Sequence, residues 1–415
     1  MGLFKGMMKS NPSKNRRVVV TGLGVISSIG IGWKEFWKNL IAGKSGINRI
    51  SAFDTSEYDR HYAGEVKSFD PTQFMSAKKA ARMGRASQMS IAASLLALKD
   101  AKLPRASLRE KITAVSIGTT TGEIQLLENF DDNRFLQKDR LLNNRTVSVF
   151  PSSSLSSSIA DAFKLKGWNT VFATACASGN YAIGQVFDLI RSGRADFALA
   201  GGVDAFSRIV FTGFSRMFAI APERCQPFDK NRQGMIPGEG AGILLLETLK
   251  NAQKRKAHIY AEVLGYGLSC DASHMTISDV AGITKSIQRA LASSQIDISR
   301  VDYISAHGTG TLENDEAECK AINKVFGRFT PRIPASSIKS SLGHTMGAAA
   351  ALEAISCCLA IEHHEIPPTI NFEVKDKKCD IDCVPNTARK RTVNVALNNS
   401  QAFGGNNACV ILGNV

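Results

Sequence analysis

The 415-residue sequence predicts an α/β fold, and two patterns carry that expectation. Short apolar, β-rich runs alternate with helical ones along the whole chain. Several of these runs are apolar throughout, as strands buried on both faces of a sheet are. The 44% hydrophobic content supplies the core that such sheets need. Residues 18–21 read as the first strand, followed by a glycine turn. Residues 112–118, 170–174 and 197–202 read as further buried strands. Between the last two, Ile183, Val186, Phe187 and Ile190 fall on one helical face, and Gly193 is placed to stop that helix. The second half repeats the style, with strands at 260–268 and 301–306, a helix at 348–361, and closing strands at 393–397 and 408–412. A division is expected near residue 255, at the charged NAQKRKAH stretch, and no internal repeat is evident.

Composition narrows the function. The net charge of +14 points to an anionic partner. The basic residues are spread along the chain, and no nucleic-acid-binding signature accompanies them. Nine cysteines include no CxxC pair, and the CxxxC of Cys379 and Cys383 has no second ligand pair, so neither a metal site nor a disulfide framework is expected. Reduced thiols fit a cytoplasmic enzyme. The basic start of the chain lacks an apolar signal-peptide core, and Gly6 stands where a myristoylation motif needs Ser or Thr. Residues 1–16 therefore read as a flexible basic tail. The apolar stretch 346–361 is interrupted by Glu353 and reads as a buried helix, not a membrane span.

Three short motifs carry chemistry. TACASG places Cys176 after a strand and before a helix, where the helix dipole and nearby N–H groups favour the thiolate. A buried structural cysteine is the alternative. HGTGT opens with His307 at the end of a strand, where ligands gather in α/β sheets, and Thr309 and Thr311 add hydroxyls beside it. KSSLGHTMGA carries Lys339 and His344, the latter at a helix start that disfavours its protonation. Glu353, inside an apolar helix, needs a partner such as Lys339. In NNSQAFGGNNA, Gly404 and Gly405 can aim backbone N–H groups at an oxyanion, and Phe403 can wall a pocket; a plain hairpin turn is the alternative. The early TGLGVISSIG lacks the third glycine of a dinucleotide fingerprint, because Ser27 stands there.

Together with VVVTGLGVISSIG, FDKNRQGMIPGEGAGILLLE, IYAEVLGYGLSCDASHMT and PPTIN, these motifs make the chain from about Arg17 onward resemble the elongating β-ketoacyl-acyl carrier protein synthases. The resemblance implies a thiolase-like fold, with two similar α/β halves in a five-layered αβαβα core. It divides the chain into 17–255, carrying the nucleophilic cysteine, and 256–415, carrying both histidines. It implies an acyltransferase that extends a Cys-bound acyl chain by two carbons through decarboxylative condensation with malonyl carrier protein, in fatty acid or type II polyketide synthesis. By motif, Cys176 is the nucleophile, His307 and His344 complete the site, and Lys339 and Glu353 support it. Phe403 with Gly404 and Gly405 forms the gate and oxyanion region, and Thr309 and Thr311 hold the phosphopantetheine arm. Lys78, Arg82 and Arg216 match carrier-protein docking positions. The implied partners are an acidic acyl carrier protein and a second subunit, either a copy of this chain or a chain-length factor. No metal, organic cofactor, nucleic acid or membrane is expected. The alternatives are a non-catalytic chain-length partner and a thiolase acting on acyl-CoA. One departure stands out: where the family commonly reads SFGFGGTN, this chain reads SQAFGGNN, so Gln401 replaces a phenylalanine and Asn406 a threonine.

Overall fold

The computed structural model describes residues 16–136 and 148–415; the expected tail at 1–16 lies outside them except for Arg16. The first half contributes strands β1 (Val18–Ser27), β2 (Thr113–Gly118), β3 (Asn169–Phe172), β4 (Phe197–Asp204) and β5 (Gly240–Thr248). The second contributes β6 (Ala261–Cys270), β7 (Tyr303–Ser305), β8 (Ala335–Ser336), β9 (Val395–Gln401) and β10 (Asn406–Gly413).

Their spatial order is β8-β7-β9-β10-β6-β1-β5-β4-β2-β3. Read outward from the middle, each half runs first, fifth, fourth, second, third strand of its own set. The directions repeat as well. In each half the second strand pairs parallel with the third and fourth, and the fifth pairs antiparallel with the fourth and first. The halves meet where Val18–Val20 of β1 oppose Ala261–Val263 of β6. The duplication that is not evident in the sequence is thus plain in the topology.

Alternation along the strands builds the layers. On β5, Leu244 and Leu246 enter the central core, while Ile243 and Leu245 enter an outer one. On β10, Val410 and Leu412 point to the central core, and Cys409 and Ile411 to a second outer one. Helices α2 (Ser178–Arg191) and α5 (Ala349–His363) fill the centre, contributing Ile183, Val186, Leu352 and Ile355. Helix α1 (Arg85–Asp100) covers one outer face, and α3 (Val280–Ser294) and α4 (Leu312–Phe326) cover the other. This is the expected five-layered α/β order.

One local expectation is corrected. The strand at 18–21 does not end in a glycine turn; β1 continues through Gly22 and Gly24 to Ser27. Those glycines serve close packing, since a Cβ on Gly24 would lie 1.8 Å from the carbonyl oxygen of Ala93 on α1. The apolar segment Met346–His363 passes by length and composition for a membrane span, but 89% of it is buried inside the fold, as a core helix.

Candidate active site

The central helices deliver the reactive groups. After β3, the backbone at Ala175 adopts φ 48°, a left-handed conformation that costs a non-glycine residue on the order of 1 kcal/mol. This sharp turn sets Cys176 in a single 3₁₀ turn, Ala175–Ala177, directly before α2. His344 comes from the second half and is held by the first. Its N–H donates to the Ile236 carbonyl at 2.6 Å, and its carbonyl accepts from Gly238 N–H at 2.8 Å, so residues 236–238 clamp it. His344 Nε2 lies 3.0 Å from Cys176 Sγ.

The hydrogen bonds assign both imidazole tautomers. Met346 N–H donates to His344 Nδ1 at 3.2 Å, which leaves the proton on Nε2. Lys339 Nζ lies 3.3 Å from His307 Nδ1 and donates to that nitrogen, so His307 also carries its proton on Nε2. Lys339 further donates to the His307 carbonyl at 2.6 Å and pairs with Glu353. The two rings stand edge to face, with centroids 5.4 Å apart. Burial first, and then the Lys339 charge, hold both histidines well below the ordinary imidazole range. The pair is therefore neutral and presents two N–H donors.

Cys176 departs from the expectation of an activated thiolate. Burial pushes its thiol from 9.0 up to about 12, with Lys339 opposing. That rise corresponds to about 4 kcal/mol against the thiolate. A helix terminus returns at most about 2 kcal/mol, so desolvation wins and the resting group is the thiol.

Two buried carboxylates that the motif reading did not single out brace the site. Glu318 on α4 accepts from the N–H groups of His307 and Gly308, both at 2.8 Å, and from Asn399 Nδ2 at 2.8 Å. Burial raises it to about 7. Asp204, at the end of β4, accepts from Thr119 Oγ1, from Thr120 and Thr121 N–H, and from Gly347 N–H, tying the turn after His344 to the first half. Asp204 could have been noticed as a carboxylate closing an apolar run, whereas Glu318 lies in the polar stretch LENDEAECK and carries no such signal.

A cleft of about 580 Å³ connects this cluster to the surface, lined by Cys176, His307, His344, Thr309, Thr311, Gln401 and Phe403 among others. The Thr309 and Thr311 hydroxyls are 2.9 Å apart. Phe403 is partly exposed at the mouth, its ring 5.8 Å from that of Phe214. Gly404 and Gly405 form the turn between β9 and β10 with φ of 83° and 77°, so the segment is both a hairpin and a pocket wall. A surface groove of about 590 Å³ lined by Phe74, Leu98, Lys102 and Arg105 contains none of the reactive groups. The structure thus brings together Cys176, His307, His344, Lys339 and Glu353, with the two threonines and Phe403 along the approach. Lys78, Arg82 and Arg216 are exposed. Arg216 adjoins Met217 and Phe218 at the cleft mouth, whereas Lys78 and Arg82 do not line the cleft. No group of three or more metal-ligating side chains occurs among the described residues.

Known proteins share this architecture. The β-ketoacyl synthase N-terminal domain matches residues 15–252, and the β-ketoacyl synthase C-terminal domain matches residues 260–373. A 3-oxoacyl-[acyl-carrier-protein] synthase 2 of Synechocystis is 39% identical over 95% of this chain and 97% of its own length. Its namesake in Staphylococcus aureus is 36% identical over 96% and 98%. Among solved structures, the ishigamide ketosynthase/chain length factor superposes with a TM-score of 0.94 at 45% identity, covering 96% of this chain and 99% of that one. A type II polyketide ketosynthase in complex with its acyl carrier protein and bound to the hexaketide gives a TM-score of 0.88 at 33% identity, over 96% and 99%. The duplicated fold, with one thiol facing two imidazoles, is that of the acyl-condensing enzymes. Within that class the chain belongs to the β-ketoacyl synthase family, as an elongating ketosynthase acyltransferase.

Proposed function

We propose that Cys176 holds the growing acyl chain while His307 and His344 stabilise the enolate of the incoming extender. The observation that carries this reading is the placement of two neutral Nε2–H donors around one buried thiol, with His344 Nε2 at 3.0 Å from Sγ. In the first half-reaction Cys176 sulfur attacks an acyl thioester on carrier protein. A C–S bond to Cys176 forms, the bond to the pantetheine sulfur breaks, and the thiol proton passes to the departing pantetheine thiolate. The N–H groups of Cys176 and Phe403 serve the tetrahedral oxyanion. In the second, malonyl carrier protein loses carbon dioxide, and the electron pair of the broken C–C bond becomes an enolate. The histidine donors stabilise its oxygen. The carbanion attacks the acyl-Cys thioester, forming the new C–C bond and breaking the C–S bond, so that a β-ketoacyl carrier protein two carbons longer is released and the Cys176 thiolate takes one proton from water. Neither step calls for a metal or organic cofactor, since the acyl groups arrive on phosphopantetheine arms along Thr309 and Thr311.

Positive charge at +14 complements an acidic carrier protein, with Lys78, Arg82 and Arg216 as docking residues. One structural neighbour is a ketosynthase/chain length factor, which supports a heterodimer alongside the homodimer reading. Likeness to the type II polyketide ketosynthase, together with Gln401 and Asn406 at the gate, supports a type II polyketide over a fatty acid pathway. We place the enzyme in the cytoplasm, with halves dividing near residue 255.

The test is Cys176→Ala. It is expected to abolish acyl transfer and condensation while malonyl carrier protein is still decarboxylated. Undiminished condensation would overturn the assignment. A non-catalytic chain-length subunit would take no acyl group at Cys176, and a thiolase would condense acyl-CoA without releasing carbon dioxide.

A further inference from the structure

Gln401 is buried at 2% exposure, lines the catalytic cleft, and has neither its amide nitrogen nor its amide oxygen hydrogen-bonded among the described residues. A buried amide left unpaired loses its hydrogen bonds to water and gains none in exchange. The other buried amides with an unpaired atom use their nitrogen. Asn398 donates to Asn180 and Ala350, Asn399 to Glu318, and Asn407 to Asp271. Among the described residues only Gln401 leaves both buried amide atoms without a partner, and the residue lines the catalytic cleft.

Strand geometry says which substrate. β9 and β10 pair in unbroken register from Val395 to Gln401, so side chains on β9 alternate faces. Asn398 and Ser400 face Asn180, on the helix that follows Cys176. Asn399 faces the other way, onto Glu318, which holds the His307 and Gly308 N–H groups. Gln401 shares the face of Asn399. It therefore belongs to the face that carries Glu318 and, through it, His307, which the proposed mechanism assigns to the extender, and not to the face turned toward Asn180 and the helix behind Cys176.

We infer that the Gln401 Nε2–H donates to the free carboxylate of the malonyl extender and makes this residue a determinant of extender recognition. The inference rests on the ketosynthase reading. The two histidine donors are taken by the thioester carbonyl, and the nearby cation, Lys339, is committed to Glu353 and His307. The carboxylate is then left with a neutral donor. Such a donor orients the anion without the strong ground-state stabilisation that a cation would give, and carbon dioxide leaves with no charge to hold.

The experiment is single-turnover condensation by enzyme pre-acylated at Cys176 and titrated with malonyl carrier protein, beside the rate of acylation of free enzyme, for wild type, Gln401→Leu and Gln401→Met. Each variant is expected to raise the malonyl carrier protein concentration for half-maximal rate about ten- to a hundredfold. The malonyl requirement should rise at least about fivefold more than the acylation rate falls, and thermal stability should be unchanged or higher, because an unpaired buried amide has been removed. An unchanged malonyl requirement, an equal loss in acylation, or a lowered melting temperature in both variants would overturn the inference. Failure of wild type itself to release carbon dioxide and condense would instead sink the ketosynthase reading.

Discussion

Lys339 and Glu353 form a fully buried ion pair whose members are 14 residues apart, and the pair carries a prediction that separates structure from chemistry. Removing one partner of such a pair leaves an uncompensated buried charge and costs about 3–5 kcal/mol. Lys339→Met strands Glu353, whose Oε2 already lacks a partner among the described residues and whose carboxyl burial has raised. Glu353→Leu strands Lys339 in turn. Independent effects would sum to about 6–10 kcal/mol in the double variant. Replacing both ions by apolar groups removes the desolvation problem, so the double variant is expected to cost less than either single change, or to be neutral. Urea midpoints of the four proteins at one concentration read this directly. Decarboxylation should behave differently. Without Lys339 nothing donates to His307 Nδ1, the tautomer is no longer fixed, and the rate of carbon dioxide release from malonyl carrier protein should fall about a hundredfold. The double variant should recover stability and not recover that rate. Additive stability losses, or restored decarboxylation in the double variant, would refute the argument.

Two further outcomes follow from the site's charge state and its surroundings. Both histidines are held well below the ordinary range, so both stay neutral as the pH falls from 8 to 6 and the decarboxylation rate should stay flat across that window. An ordinary pair titrating near 6.5 would be doubly neutral in only about 6% of molecules at pH 6, so a fall of that size would show that the donors are not held neutral. At the cleft mouth, Arg216→Glu should raise the half-saturating concentration of carrier-protein substrates about tenfold at low salt, with the difference shrinking as ionic strength rises; an effect independent of salt would place Arg216 outside the docking surface.

The fold class was legible because apolar runs and helical spacing are local signals. Ile183, Val186, Phe187 and Ile190 read as one face and bury as one. The duplication was legible only through the motif resemblance and not as an internal repeat, because strand order and direction repeat without residues repeating: β4 reads FALAGGVD where its counterpart β9 reads VALNNSQ. The glycine turn expected after residue 21 failed for a tertiary reason, since Gly22 and Gly24 give room to the backbone of α1. Helix α1 is itself hard to read from periodicity, because alanines and serines are buried around much of its circumference. At the site, the partnership of Lys339 with Glu353 was legible because a carboxylate in an apolar helix demands a cation. Glu318 and Asp204 were not, since their partners are backbone N–H groups that become neighbours only on folding.

Cys176 shows where local sequence logic is outweighed. Its place before α2 argues for a thiolate, and the helix end does favour one, but burial pushes the thiol up to about 12. The stoichiometry of the proposed cycle removes the conflict. Acyl transfer exchanges one thioester for another, so the Cys176 proton can leave with the departing pantetheine sulfur, and no free thiolate need accumulate. The groups around it match this economy. Both imidazoles have Nδ1 engaged by a donor and carry their proton on Nε2, so neither keeps a free lone pair, and they are built to stabilise developing oxyanions and not to store the thiol proton. Desolvation that disfavours a resting thiolate also disfavours the malonyl carboxylate in the same cleft, and it is the carboxylate that can escape the penalty by leaving as neutral carbon dioxide. A buried thiol, neutral histidines and the unpartnered amide of Gln401 are therefore parts of one arrangement, in which the protein groups proposed to meet the substrates are themselves uncharged.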